Sequence, residues 1–168
     1  MGVTGGGVYV NRGVLYLSSG AISGNTGGGV VVGGDSTFFM SGGKISDNIS
    51  GMHGGGVGNL GTFVMSGGEI SGNTADRAGG GVYNFPGNFT MSGGKISGNK
   101  AFEQGGGVYS HRPCHFVMSN GTISGNSAEE GGGVYNWDIF TMLGGEISGN
   151  ADLCFFNVYS EINSEISS

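Results

Sequence analysis

Proline is nearly absent from this chain, at two residues in 168, and that removes a collagen reading at once. Collagen needs abundant proline and a glycine at every third position, and the 41 glycines here keep no such period. Cysteine is equally scarce. Cys114 and Cys154 are too few for a disulfide scaffold and lack the paired spacing of a zinc site. Basic residues number 6 against 12 acidic ones, for a net charge of −6, and they form no stripe. Nucleic acid is therefore not an expected partner. No stretch approaches the roughly 18 apolar residues of a membrane-spanning helix, so membrane insertion is not expected either. The 3.6-residue apolar period of an amphipathic helix is also missing, and the density of glycine disfavours helix throughout.

What is present is a repeat. Gly-Gly-Gly-Val begins at Gly5, Gly27, Gly54, Gly79, Gly105 and Gly131, at spacings of 22, 27, 25, 26 and 26. A period of this size marks a solenoid or a propeller. Each repeat also holds a constant block, seen in full at Phe89-Thr-Met-Ser-Gly-Gly-Lys-Ile-Ser-Gly-Asn99. From Leu15 to Asn25, Phe38 to Asn48, Phe63 to Asn73, Phe89 to Asn99, Phe116 to Asn126 and Phe140 to Asn150 the interval is always ten. Length varies only outside that block. Constant segments stack in register, whereas variable ones are free to bulge into solvent.

Phe and Met sit two apart and so share one face of a strand. Ser-Gly-Gly permits a tight bend with positive φ. Ile follows the bend, and the Val after each glycine triplet opens another short strand. Each repeat thus reads as three short strands separated by turns. Such strands bury their faces only by stacking Val on Val, Phe on Phe, Met on Met and Ile on Ile in parallel sheets. The crossover rule favours right-handed winding. The expected fold is an all-β, right-handed parallel β-helix of about six coils of 22–27 residues, forming one domain over residues 1–168. Residues 152–168 read as a degenerate terminal coil. The uninterrupted column Asn25, Asn48, Asn73, Asn99, Asn126 and Asn150 reads as an internal asparagine ladder at a corner, where asparagine tolerates left-handed geometry.

The repeat Gly79-Gly-Gly-Val-Tyr-Asn84 joined to Phe89–Asn99 resembles repeats of large adhesin-like surface proteins of the pectin-lyase-like β-helix group. It is also similar to the repeats of polymorphic outer-membrane and autotransporter passengers. The resemblance covers nearly the whole chain. It implies a β-helix exposed at a cell surface or secreted, and it implies no particular activity. Met1-Gly-Val-Thr4 leads straight into the first repeat with no signal peptide, so the expectation is either a protein that stays inside the cell or, the favoured reading, a mature piece or fragment of a larger exported chain.

Catalysis finds little support in the pattern. Asp35, Asp47, Asp76, Asp138 and Asp152 fall in different columns, and no coil offers two outward carboxylates from one strand. No catalytic residue, metal or cofactor is expected. His111-Arg-Pro-Cys-His115 is the densest cluster of metal-ligating types, yet it lies in a variable turn with only Asp138 as a further ligand. Cys114 and Cys154 fall in different columns more than one coil apart, too far for a bridge. Lys44, Glu69 and Lys95 alternate in sign from rung to rung, which suits cross-strand pairing.

The candidate binding residues follow the recurring Val. Tyr83, Tyr109 and Tyr135 should point outward as a stripe, with Phe85 and Trp137 in the adjoining turns, able to stack on sugar rings or on a partner. The leading expectation is a non-enzymatic structural or adhesive module that touches glycans or the proteins of a host or neighbouring cell. Open β-helix ends would also allow a homo-oligomer or filament. A carbohydrate-binding or carbohydrate-active β-helix is the alternative. An ice-binding face is a lesser one, because the outward position between Phe and Met carries Thr only at Thr90 and Thr141.

Overall fold

The computed structural model describes residues 5–153, so the expected terminal coil and Cys154 lie largely or wholly outside the described residues. The first coil holds β1 (Val8–Val10), β2 (Val14–Leu17) and β3 (Ala21–Ser23). The second holds β4 (Val30–Val32), β5 (Thr37–Ser46) and β6 (Ile49–Ser50). The third holds β7 (Val57–Asn59), β8 (Thr62–Ser71) and β9 (Thr74–Ala75). The fourth holds β10 (Val82–Asn84), β11 (Asn88–Ser97) and β12 (Lys100–Ala101). The fifth holds β13 (Val108–Ser110), β14 (His115–Ser124) and β15 (Ser127–Ala128). The sixth holds β16 (Val134–Asn136), β17 (Ile139–Met142), β18 (Glu146–Ser148) and β19 (Ala151–Asp152). Among the described residues there is no helix, and so none long and apolar enough to cross a membrane.

Every pairing is parallel and joins one coil to the next. The first sheet runs β1-β4-β7-β10-β13-β16, the second β17-β14-β11-β8-β5-β2, and the third β19-β15-β12-β9-β6. The molecule is a parallel β-helix of about six coils with three strands per coil, as the repeats predict. The register is the predicted one: Val82 pairs with Val57 and Val108, Phe89 with Phe63 and Phe116, and Ile96 with Ile70 and Ile123. Phe38, Phe63, Phe89 and Phe116 are completely buried and stack face to face at 4.8 Å.

The strand boundaries differ from the sequence reading in two respects, a merger of two expected strands and a third sheet where none was expected. The Phe-x-Met and Ile segments belong to one sheet, and in the four middle coils they form one ten-residue strand bent at Ser-Gly-Gly. The bend falls on the second glycine, with φ of +74° at Gly43 and +87° at Gly94. There the Met of the preceding coil packs against the glycine; a Cβ on Gly94 would lie 2.6 Å from Met65 Cε. The third sheet lies beyond the Asn, where its inward residues Ser50, Ala75, Ala101 and Ala128 are fully buried.

The asparagine ladder is present in full. Asn48 Nδ2 donates to Asn73 Oδ1 at 2.9 Å, Asn73 to Asn99 at 2.9 Å, and Asn99 to Asn126 at 3.0 Å. From Asn25 to Asn126 the backbone N–H donates to the same oxygen, and from Asn48 onward Nδ2 also donates to an Ile carbonyl, as Asn99 does to Ile70 at 3.0 Å, whereas Asn25 Nδ2 donates to the Ser23 carbonyl. The left-handed residue is not the Asn, however. It is the one before it, at Gly24, Asp47, Gly72, Gly98, Gly125 and Gly149, with φ of +57° to +68°. That neighbour takes the turn and leaves the Asn side chain aimed inward. A second buried polar column, Asn59, Asn84 and Ser110, lines another corner, with Asn59 donating to Asn84 at 2.7 Å.

Candidate functional site

The first glycine of each triplet makes room for a tyrosine. Gly79, Gly105 and Gly131 have φ of +71°, +66° and +62°, and a Cβ there would lie 2.7–2.8 Å from the Cβ of Tyr83, Tyr109 or Tyr135. The tyrosines therefore lie close over a backbone stripped of side chains, on the outer face of the first sheet. Their rings stack on one another at 5.1 Å (Tyr83–Tyr109) and 5.5 Å (Tyr109–Tyr135), within 4° of parallel. In the third coil the equivalent position is Gly58, and His53 fills the space, stacking on Tyr83 at 4.5 Å.

Two residues after each tyrosine stands a second tier of rings, Phe85, His111 and Trp137. Phe85 meets His111 edge to face at 5.5 Å, and His111 stacks on Trp137 at 4.9 Å. The Trp137 indole N–H donates to the Tyr135 hydroxyl. All five residues expected to bind thus come together on one face. His53 and His111 complete it.

The stripe is less open than expected. Tyr83 is only 8% exposed, because its faces are covered by His53 and Tyr109. Tyr109 and Tyr135 are half-buried, whereas Trp137 is 54% exposed. The tyrosine faces are occupied by other rings of the ladder, so those residues offer edges and hydroxyls rather than stacking platforms.

Across from the ladder lies a polar wall. The turns before the glycine triplets bring His53, Ala78, Gln104 and Glu130 into a column joined by parallel bridges. Arg77 Nε donates to Glu103 Oε1 at 3.0 Å, and Gln104 Nε2 to Glu130 Oε2 at 3.0 Å. Between wall and ladder is a cleft of about 340 Å³, lined by Arg77, Glu103, Gln104, Tyr109, His111 and Phe85 among others.

No family model, curated protein or solved structure matches this chain.

Burial favours the neutral form of three of the cleft's rings, Tyr109, Tyr83 and His53. The Tyr109 phenol is pushed up to about 12, first by burial and then by Tyr83 and Tyr135. Tyr83 is raised by burial and by Cys114. His53 is lowered from 6.5 by burial and by Arg77, with Glu103 opposing. Its Nδ1 is buried and has no hydrogen-bond partner. At neutral pH the cleft presents uncharged phenols and imidazole opposite a closed Arg77–Glu103 pair. That set donates and accepts hydrogen bonds.

The His111–His115 segment is dispersed. His111 joins the aromatic tier, and His115 points outward on the second sheet in register with Ile139. Cys114 turns inward, where Sγ donates to the Asn84 carbonyl at 3.1 Å and burial pushes the thiol up. Asp138 accepts from the Cys114 backbone N–H at 3.2 Å, as a cap on the turn. Among the described residues no group of three His, Cys, Asp or Glu is placed to hold a metal ion.

Sequence reasoning missed His53 and the polar wall. The signal for His53 was Gly58 itself, a gap in the tyrosine column that another ring must fill.

Proposed function

We propose that this chain is a non-enzymatic β-helix module of a cell-surface or secreted protein, of the adhesin-like kind its repeats resemble, and that it holds a glycan on its aromatic face. The observation that carries this reading is the two-tier ladder opening on a polar cleft. A sugar chain is rich in hydroxyls and has apolar ring faces. The tyrosine hydroxyls, Gln104, Glu103 and Arg77 match the first property, and the exposed Trp137 ring matches the second. The rings are locked by stacking, so little conformational entropy remains to be lost on binding.

A glycan array with purified protein tests this. Trp137→Ala should weaken binding by about tenfold. A Tyr83, Tyr109 and Tyr135 to Phe triple variant keeps the stack, removes the hydroxyls, and should weaken it comparably. Binding unchanged in both variants, with circular dichroism matching the parent, removes the aromatic face from consideration.

A second reading, end-to-end association of rods, is favoured by a different observation. Val8, Leu15, Leu17 and Ile22 in the first coil, and Val134, Phe140 and Ile147 in the sixth, are only partly buried among the described residues. Light scattering decides it: a mass that rises with concentration supports assembly, and a strict monomer contradicts it.

A further inference from the structure

We propose that Asn120 is a site of spontaneous chemical modification, where the Gly121 nitrogen attacks the Asn120 side chain and converts it to aspartate or isoaspartate. This inference is independent of what the aromatic face binds.

The repeat pattern breaks at this residue. The position after the first serine of the bend reads Ser19, Gly42, Gly67, Gly93, Asn120 and Gly144. Four coils carry glycine there because the space is small. A Cβ on Gly42, Gly67, Gly93 or Gly144 would lie 2.2–2.5 Å from the preceding coil's serine carbonyl. The fifth coil places an asparagine at the site, and the next residue is a glycine. This is the one Asn-Gly pair in the chain.

The geometry suits intramolecular attack. Gly121 N lies 2.8 Å from Asn120 Oδ1 and donates to it, which polarises the amide and holds the nitrogen beside the carbon it must reach. Gly121 has no Cβ to hinder closure, and its φ is +100°. Asn120 is exposed, so hydroxide and water have access. The ladder asparagines are the opposite case. Asn73, Asn99 and Asn126 are buried, their amides are bonded on both sides, and they precede Thr74, Lys100 and Ser127.

The step balances without a redox partner. Hydroxide removes the Gly121 N–H proton, a bond forms from that nitrogen to Asn120 Cγ, and the Cγ–Nδ2 bond breaks as Nδ2 takes a proton from water and leaves as ammonia, regenerating hydroxide. Water then opens the five-membered imide at either carbonyl, giving aspartate or isoaspartate.

The isoaspartate product adds a backbone atom between Met118 and Ile123. Met118 is held in register with Met91 and Met142, and Ile123 with Ile96 and Ile147. The sixth coil, which carries Tyr135 and Trp137, rests on that strand. Conversion should therefore loosen the sixth coil, and Trp137, the sole tryptophan, reports it.

The test is incubation of the full chain in mildly alkaline buffer, with peptide mapping by mass spectrometry and tryptophan fluorescence followed together. Asn120 should convert at least about tenfold faster than the exposed Asn88. Trp137 emission should move to the red on the same time course. Asn120→Gly, which restores the residue of the other coils, should abolish both changes. Conversion of Asn120 no faster than Asn88 overturns the assignment, and an emission drift in Asn120→Gly equal to the parent's overturns the link to the sixth coil.

Discussion

Asn99 shows how one residue type can fix a coil. Its oxygen accepts from both the side chain and the backbone of Asn73, and its own amide holds Ile70 and Asn126. Asn99→Ala leaves the Asn73 backbone N–H and one of its two Nδ2 hydrogens buried without partners and removes the side-chain donor from the Ile70 carbonyl, and should cost about 3 kcal/mol in urea unfolding. The residue scale also sets the pH response. Tyr109 holds its proton more tightly when folded, so its contribution is intact below its ordinary 10.0 and is lost as pH rises through about 12. Tyr109→Phe should therefore flatten the fall in unfolding midpoint over that window. His53 acts at the other end: its folded value is depressed, so its contribution is present above 6.5 and lost as pH falls. The ladder was legible in the sequence because nothing interrupts it. Asparagine's tolerance for left-handed geometry points to the Asn as the turn residue, whereas glycine and Asp47 take that role at the preceding position.

At the scale of the element, the second sheet carries the largest share of the core. Its four middle strands each bury a Phe, a Met and an Ile completely. Phe89→Ala opens a cavity between Phe63 and Phe116 that flanking coils cannot close without losing register, and should cost about 4 kcal/mol in chemical denaturation. The inward faces of these strands were legible because Phe, Met and Ile recur at fixed separation. The join between them was not: a Ser-Gly-Gly bend reads as a turn, yet with glycine in the left-handed region the strand continues through it. The third sheet was hidden for a related reason. Its strands are two residues long, and its core column is Ser50, Ala75, Ala101 and Ala128, side chains too small to stand out in a segment of variable length.

For the whole molecule, the register of the stack is also what assembles the aromatic face. Tyr83, Tyr109 and Tyr135 meet only because Val82, Val108 and Val134 lie over one another, and Phe85, His111 and Trp137 follow two residues on. The location of that face was readable from the column of tyrosines. Its closure was not, since a stripe of outward rings one rung apart stacks on itself and covers its own faces. The same stacking can be measured from the second coil to the sixth. Spin labels on cysteines replacing Phe39 and Thr141, with Cys114 and Cys154 changed to serine, sit in one outward column four rungs apart. Pulsed dipolar spectroscopy should give a single narrow distance centred near 19 Å, four times the spacing of paired strands. A broad distribution, or a centre far from that multiple, would contradict the in-register stack on which the core, the ladder and the aromatic face all depend.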